Sequence, residues 1–87
     1  MTIDEKWILG IRLRDRIHEA SALQDVLTKF GCSIRTRLGV HETGDQTDSE
    51  SSIILLELTG DPYEFVKLEN ELLKLPHAEV RKMVFGR

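Results

Sequence analysis

Three observations in the 87-residue chain predict an α+β fold. Apolar residues recur at every second position, then every third or fourth, then every second through two successive segments, then every third or fourth, then every second again. An aspartate stands where each helix would open, at Asp15 and Asp61. Connections are short except for one polar stretch between the two middle strands. The order strand, helix, strand, strand, helix, strand is that of the ferredoxin-like βαββαβ sandwich, a four-stranded antiparallel-mixed sheet with two helices on one face. Right-handed crossovers place the first and third strands side by side and parallel, with the second and fourth at the edges.

The first strand covers residues 6–14, where Trp7, Leu9, Ile11 and Leu13 alternate with Ile8, Gly10, Arg12 and Arg14. Asp15 can accept from the unpaired N–H groups of the first helical turn, so a helix starts there. Its apolar stripe is Ile17, Ala20, Leu23, Val26, Leu27 and Phe30, and Gly31 follows as a residue that tolerates positive φ. In residues 33–40 the period returns to two, with Ile34, Thr36, Leu38 and Val40 on one face and Arg35, Arg37 and Gly39 on the other. Residues 42–51 contain no apolar side chain and form an exposed, mobile hairpin loop. Residues 52–59 are apolar on both faces, as an interior strand requires. The second helix opens at Asp61-Pro62, carries Phe65, Leu68, Leu72 and Leu75 inward, and ends before Pro76. The last strand spans about residues 79–85, with Val80 and Val84 on one side, Met83 and Phe85 on the other, and no pattern that says which side is buried.

One sheet face is left without a helix. Alternation assigns to it Ile8, Gly10 and Arg12, then Arg35 and Arg37, then Ile53, Leu55 and Glu57, with Met83 or Phe85 from the last strand. The set is apolar in the middle and charged at its margin. A second copy packing on this face, or pairing at an edge, would bury it, with Glu57 opposite an arginine. The expected assembly is a homo-oligomer, a dimer or tetramer.

Composition bounds the function. With 40% hydrophobic and 31% charged residues, and 12 basic against 15 acidic side chains for a formal charge of −3, the chain reads as one small domain over residues 1–87. It has no cationic excess to displace counterions from nucleic acid, and its third strand offers no aromatic stacking platform. The single Cys32 is read as a small buried hydrophobe, and the lack of a signal-peptide pattern or a long apolar run points to the cytoplasm, away from membranes. His18, Cys32, His41 and His77 are scattered and show no metal-ligand spacing, so neither a metal nor a cofactor is expected. No nucleophile elbow or paired carboxylate supports catalysis. A small dimeric enzyme would have to rely on His18 and His41, which assemble into no mechanism.

Several short segments together resemble a known family. They are Trp7-Ile8-Leu9-Gly10-Ile11, Asp15-Arg16 at the first helix start, Leu27 to Phe30 at its end, Arg37-Leu38-Gly39-Val40, and Ile53 to Leu58. In these the chain resembles the iron-only hydrogenase system regulators, free-standing ACT-like domains similar to the carboxy-terminal domain of the nickel-responsive regulator. The resemblance implies a regulatory domain that oligomerises, with a role in hydrogenase expression or maturation; fold alone does not carry that role. A small-metabolite sensor is the alternative. Its effector, an amino acid or other small anion, would sit at the turn of Arg14, Asp15 and Arg16, where strand one ends and the positive end of helix one begins.

Overall fold

The computed structural model describes residues 5–40 and 52–86. It contains β1 (Lys6–Leu13), α1 (Arg16–Lys29), a single 3₁₀ turn at Gly31–Ser33, β2 (Ile34–Val40), β3 (Ser52–Leu58), α2 (Pro62–Leu73) and β4 (Ala78–Phe85). The loop expected at residues 42–51, and His41 before it, lie outside the described residues. The βαββαβ order is as the sequence predicts. The sheet order is β2-β3-β1-β4, with β2 and β4 at the edges.

Every neighbouring pair is antiparallel, which corrects the expectation of parallel first and third strands. The reason lies in the connections. The crossover through α1 makes β1 and β2 parallel but leaves a gap between them, and β3, antiparallel to β2, fills that gap antiparallel to both.

Trp7, Leu9, Ile11 and Leu13 of β1 point to the helices and are buried with Leu56 and Leu58 of β3. From α2, Phe65, Leu68 and Leu72 close over them; from α1, Leu23 and Leu27 do so, with Phe30 following. Asp61 caps α2, its carboxylate accepting from the Tyr63 N–H at 2.9 Å, and Pro62 takes the first helical position. Gly60 reaches the cap at φ 96°, a left-handed conformation that only glycine adopts without strain.

Two readings of α1 change. Ile17 is 66% exposed and Ala20 is exposed, while Glu19 is buried, so the inward stripe runs Glu19, Leu23, Leu27, Phe30. Only the first part of the helix departs from the expected stripe: a carboxylate enters where an isoleucine was expected, while Leu23, Leu27 and Phe30 face the core as predicted. Gly31 opens the 3₁₀ turn instead of adopting positive φ, and Cys32 in that turn is exposed, not buried.

The second strand departs furthest from its sequence pattern. Ile34 pairs with Leu58, but Thr36 pairs with Glu57, so Arg35 is an extra residue. Such a bulge reverses the facing of everything after it. Thr36, Leu38 and Val40 therefore share the open face with Glu57, Leu55 and Ile53, and Arg37 and Gly39 turn to the helix side. In β4 the ambiguity resolves through the register with β1. Ala78, Val80, Lys82 and Val84 lie on the helix side, while Glu79, Arg81, Met83 and Phe85 lie on the open face.

Candidate functional site

At the end of β1 the chain turns through Arg14 and Asp15 into α1. The Asp15 carboxylate accepts from the His18 backbone N–H at 3.2 Å, and the His18 ring Nδ1 stands 2.8 Å from its Oδ2. Asp15 itself thus occupies the anion position at the helix amino terminus. The His18 side-chain hydrogen bond holds the Asp15 carboxyl below the usual carboxylate range, its backbone N–H and the charge of His77 adding to the effect. The Arg14 guanidinium is 3.1 Å from Glu79, which is shared with Arg81 at 2.8 Å. The hydrogen bond from Arg14 is the main cause of a lowered Glu79 pKa, followed by the charge of Arg81.

Beneath this turn lies the residue that sequence reasoning missed. Glu19, 5% exposed, accepts the His77 N–H on both carboxylate oxygens at 3.2 and 3.1 Å. The His77 carbonyl in turn accepts from the Arg14 N–H at 3.1 Å. The backbone of His77, just ahead of β4, is therefore fastened on one side to α1 and on the other to the residue that follows β1. An acidic residue in the first helical turn looks like a dipole partner on paper, and nothing local in the sequence marks this one as buried.

Acid should weaken the Asp15–His18 pair. A folded-state pKa below the unfolded one stabilises the protein above the unfolded carboxylate range, and the gain is lost as pH falls through the folded value. Melting temperatures of the wild type and His18→Ala should therefore differ at neutral pH, and the difference should begin to shrink only as pH falls below about 4.

The sheet's open face has three full rows across β2, β3, β1 and β4: Val40–Ile53–Arg12–Glu79, Leu38–Leu55–Gly10–Arg81, and Thr36–Glu57–Ile8–Met83, followed by Lys6–Phe85 on β1 and β4. Leu38 is 55% exposed, and Val40, Ile53, Met83 and Phe85 are exposed as well. Of the residues expected here, Ile8, Arg12, Ile53, Leu55 and Glu57 are on this face. Arg37 is not: it lies on the helix side and donates to Gln24 of α1 at 2.9 Å, while Arg35 is the bulge residue. Glu57 accepts from the Thr36 hydroxyl at 2.9 Å, in place of the expected arginine. Because the bulge reverses β2, the face is more apolar than the sequence pattern suggests.

On the helix layer an open groove of about 680 Å³ runs between the end of α1 and α2, lined by Lys29, Phe30, Glu64, Lys67, Asn70, Glu71 and Lys74. Lys67 and Lys74 are held by Glu64 and Glu71 at 3.1 and 2.9 Å, which balances most of its charge. Among the described residues no group of three or more His, Cys, Asp or Glu could hold a metal ion, and no helix is long and apolar enough to cross a membrane.

No family model and no curated protein matches the chain. Solved structures do. An uncharacterised protein from Thermotoga maritima is similar at TM-score 0.78 and 22% identity, over 93% of this chain and 98% of that one. A nitrogen regulatory PII-like protein from Thiomonas intermedia K12, bound to ADP, AMP and bicarbonate, is similar at 0.59 and 15%, over 95% and 94%. A de novo designed protein, Foldit4, reaches 0.52 and 12%, over 95% and 97%. A regulator and a designed chain sharing one architecture show that the likeness fixes the fold and leaves function to be argued from surfaces.

Proposed function

We propose that this chain is a non-enzymatic, cytoplasmic regulatory domain that acts as a homo-oligomer through the open face of its sheet. The resemblance of its sequence segments to iron-only hydrogenase system regulators favours a role in hydrogenase expression or maturation. The observation that carries the reading is the apolar face itself. Leu38, Val40, Ile53 and Leu55 form one continuous half of it, and Ile8, Met83 and Phe85 extend it along β1 and β4. Burying four such side chains against a second copy contributes on the order of 1.5–3 kcal/mol each before the cost of association.

Gly10 adds to the argument. It sits in the middle of the face, and a Cβ there would meet Leu55 Cδ2 at 3.6 Å, an ordinary contact. Its own subunit does not require a glycine, so the bare backbone leaves room for another body. Ile53→Glu and Leu55→Glu should each raise the dissociation constant of the oligomer by about tenfold or more in sedimentation velocity. A wild type that stays monomeric, or variants that associate as it does, would remove the reading.

A second reading rests on the Asp15 turn, where the His18 ring stands 2.8 Å from the carboxylate and the charge of His77 also acts on it. There the domain would respond to a small anion or amino acid, with the turn of Arg14, Asp15 and Arg16 as its contact. A thermal-shift screen separates the two, because a ligand that binds only the folded state raises the melting temperature. Bicarbonate, ADP and AMP, held by the Thiomonas protein, join amino acids and small carboxylates in that screen.

A further inference from the structure

We propose that a second copy of this chain extends the sheet along β4, in antiparallel register centred on Met83. The inference deepens the self-association reading and rests on it, but names a different surface. The two edges of the sheet are unlike. Along β2 the register shifts between Ile34 and Thr36, and the bulge residue Arg35 is charged and exposed. Bulges and charges are what keep an edge from pairing with another chain. β4 has neither device along its last residues. Its register with β1 is unbroken from Ala78 opposite Leu13 to Phe85 opposite Lys6.

The cations of β4 are drawn onto their own subunit. Arg81 donates to Glu79 at 2.8 Å and to the Val80 carbonyl at 3.0 Å. Lys82 lies 4.4 Å from the centre of the Trp7 ring and 3.1 Å from Glu69. Beyond them come three consecutive exposed apolar residues, Met83 at 53%, Val84 at 44% and Phe85 at 53%. Met83 and Phe85 belong to the open face and Val84 to the helix face. A body lying on the open face covers the first two and misses Val84. A strand running alongside β4 reaches all three.

Charge and the need to cover the exposed run Met83 to Phe85 together select the register. Antiparallel pairing centred on Arg81 or Lys82 places two like cations directly opposite each other, which is destabilising. Centred on Met83, the methionine meets its counterpart, Lys82 lies beside Val84 of the second copy, and Arg81 lies beside Phe85 of the second copy, where a guanidinium can rest on the ring. No like charges then face each other between residues 81 and 85. Five residue pairs make a small interface, populated as a weak dimer at roughly 100 μM chain.

Val84 provides the test, since it is exposed and lies on the opposite side of the sheet from Ile53. In sedimentation velocity Val84→Lys, which sets a second ammonium against Lys82 on both sides of the axis, should weaken association at least about tenfold. Val84→Glu sets a carboxylate against the same lysine and should keep the dimer. Circular dichroism melts confirm that both variants fold. The proposal is overturned if Val84→Lys associates like the wild type, if the two variants lose association equally, or if the wild type is monomeric throughout. Dissociation by Ile53→Glu with none by Val84→Lys keeps the face and rejects the edge; the reverse keeps the edge and rejects the face. If both surfaces act, the wild type is a tetramer and each variant alone stops at a dimer.

Discussion

Phe65→Ala should destabilise the fold by about 3–5 kcal/mol and lower its melting temperature by roughly 15 °C or more. Phe65 is 1% exposed and is the inward anchor of the first turns of α2. Its ring centre lies 5.6 Å from that of Trp7, tilted by 57°, and the Lys82 ammonium stands 4.4 Å from the Trp7 ring centre. The indole is thus a node between helix, sheet and edge strand. Truncation removes an aromatic pair as well as buried area, in a domain short enough that one such cavity consumes a large part of its stability. Trp7 is the chain's one tryptophan, so its fluorescence reports this cluster directly. Urea unfolding followed by that signal should show the midpoint fall; a loss under about 1 kcal/mol would mean that Phe65 does not anchor α2 as its burial indicates.

That core was legible in the sequence because its signal is local and repeated. Trp7, Leu9, Ile11 and Leu13 alternate without interruption, and Phe65, Leu68 and Leu72 keep helical spacing behind an Asp-Pro start, so each element names its own inward face. β2 failed for the opposite reason. Its alternation is just as clean, but one extra residue at Arg35 reverses the strand, and the preference for that bulge is set by pairing with β3. Arg37 therefore moved from the expected open face to Gln24 on α1, and Leu38 and Val40 moved from the expected core to the open face. The candidate surface survived this exchange and became more apolar. Strand direction failed similarly, because β1 and β3 never touch in sequence and their orientation follows only from closing both crossovers in one sheet.

Glu19 shows what a periodicity argument cannot see, and its replacement carries the second large effect. Glu19→Ala should destabilise the protein by about 2 kcal/mol and lower the melting temperature by roughly 10 °C. The carboxylate is the acceptor for the His77 N–H, and the His77 carbonyl is already bonded to the Arg14 N–H. Deleting it leaves a part-buried peptide N–H with no partner at the point where β4 begins. The nearby Asp15 cap and the Arg14–Glu79 pair stand at the same end of the fold, so the loss should also loosen the turn proposed to meet a small anion. Glu19→Gln discriminates the cause. An amide oxygen can still accept from His77, so this variant should retain more than half of the lost stability, whereas a role resting on the negative charge alone would make Gln as costly as Ala. Hydrogen exchange at the His77 amide gives the local readout: protection should fall in the alanine variant and persist in the glutamine one.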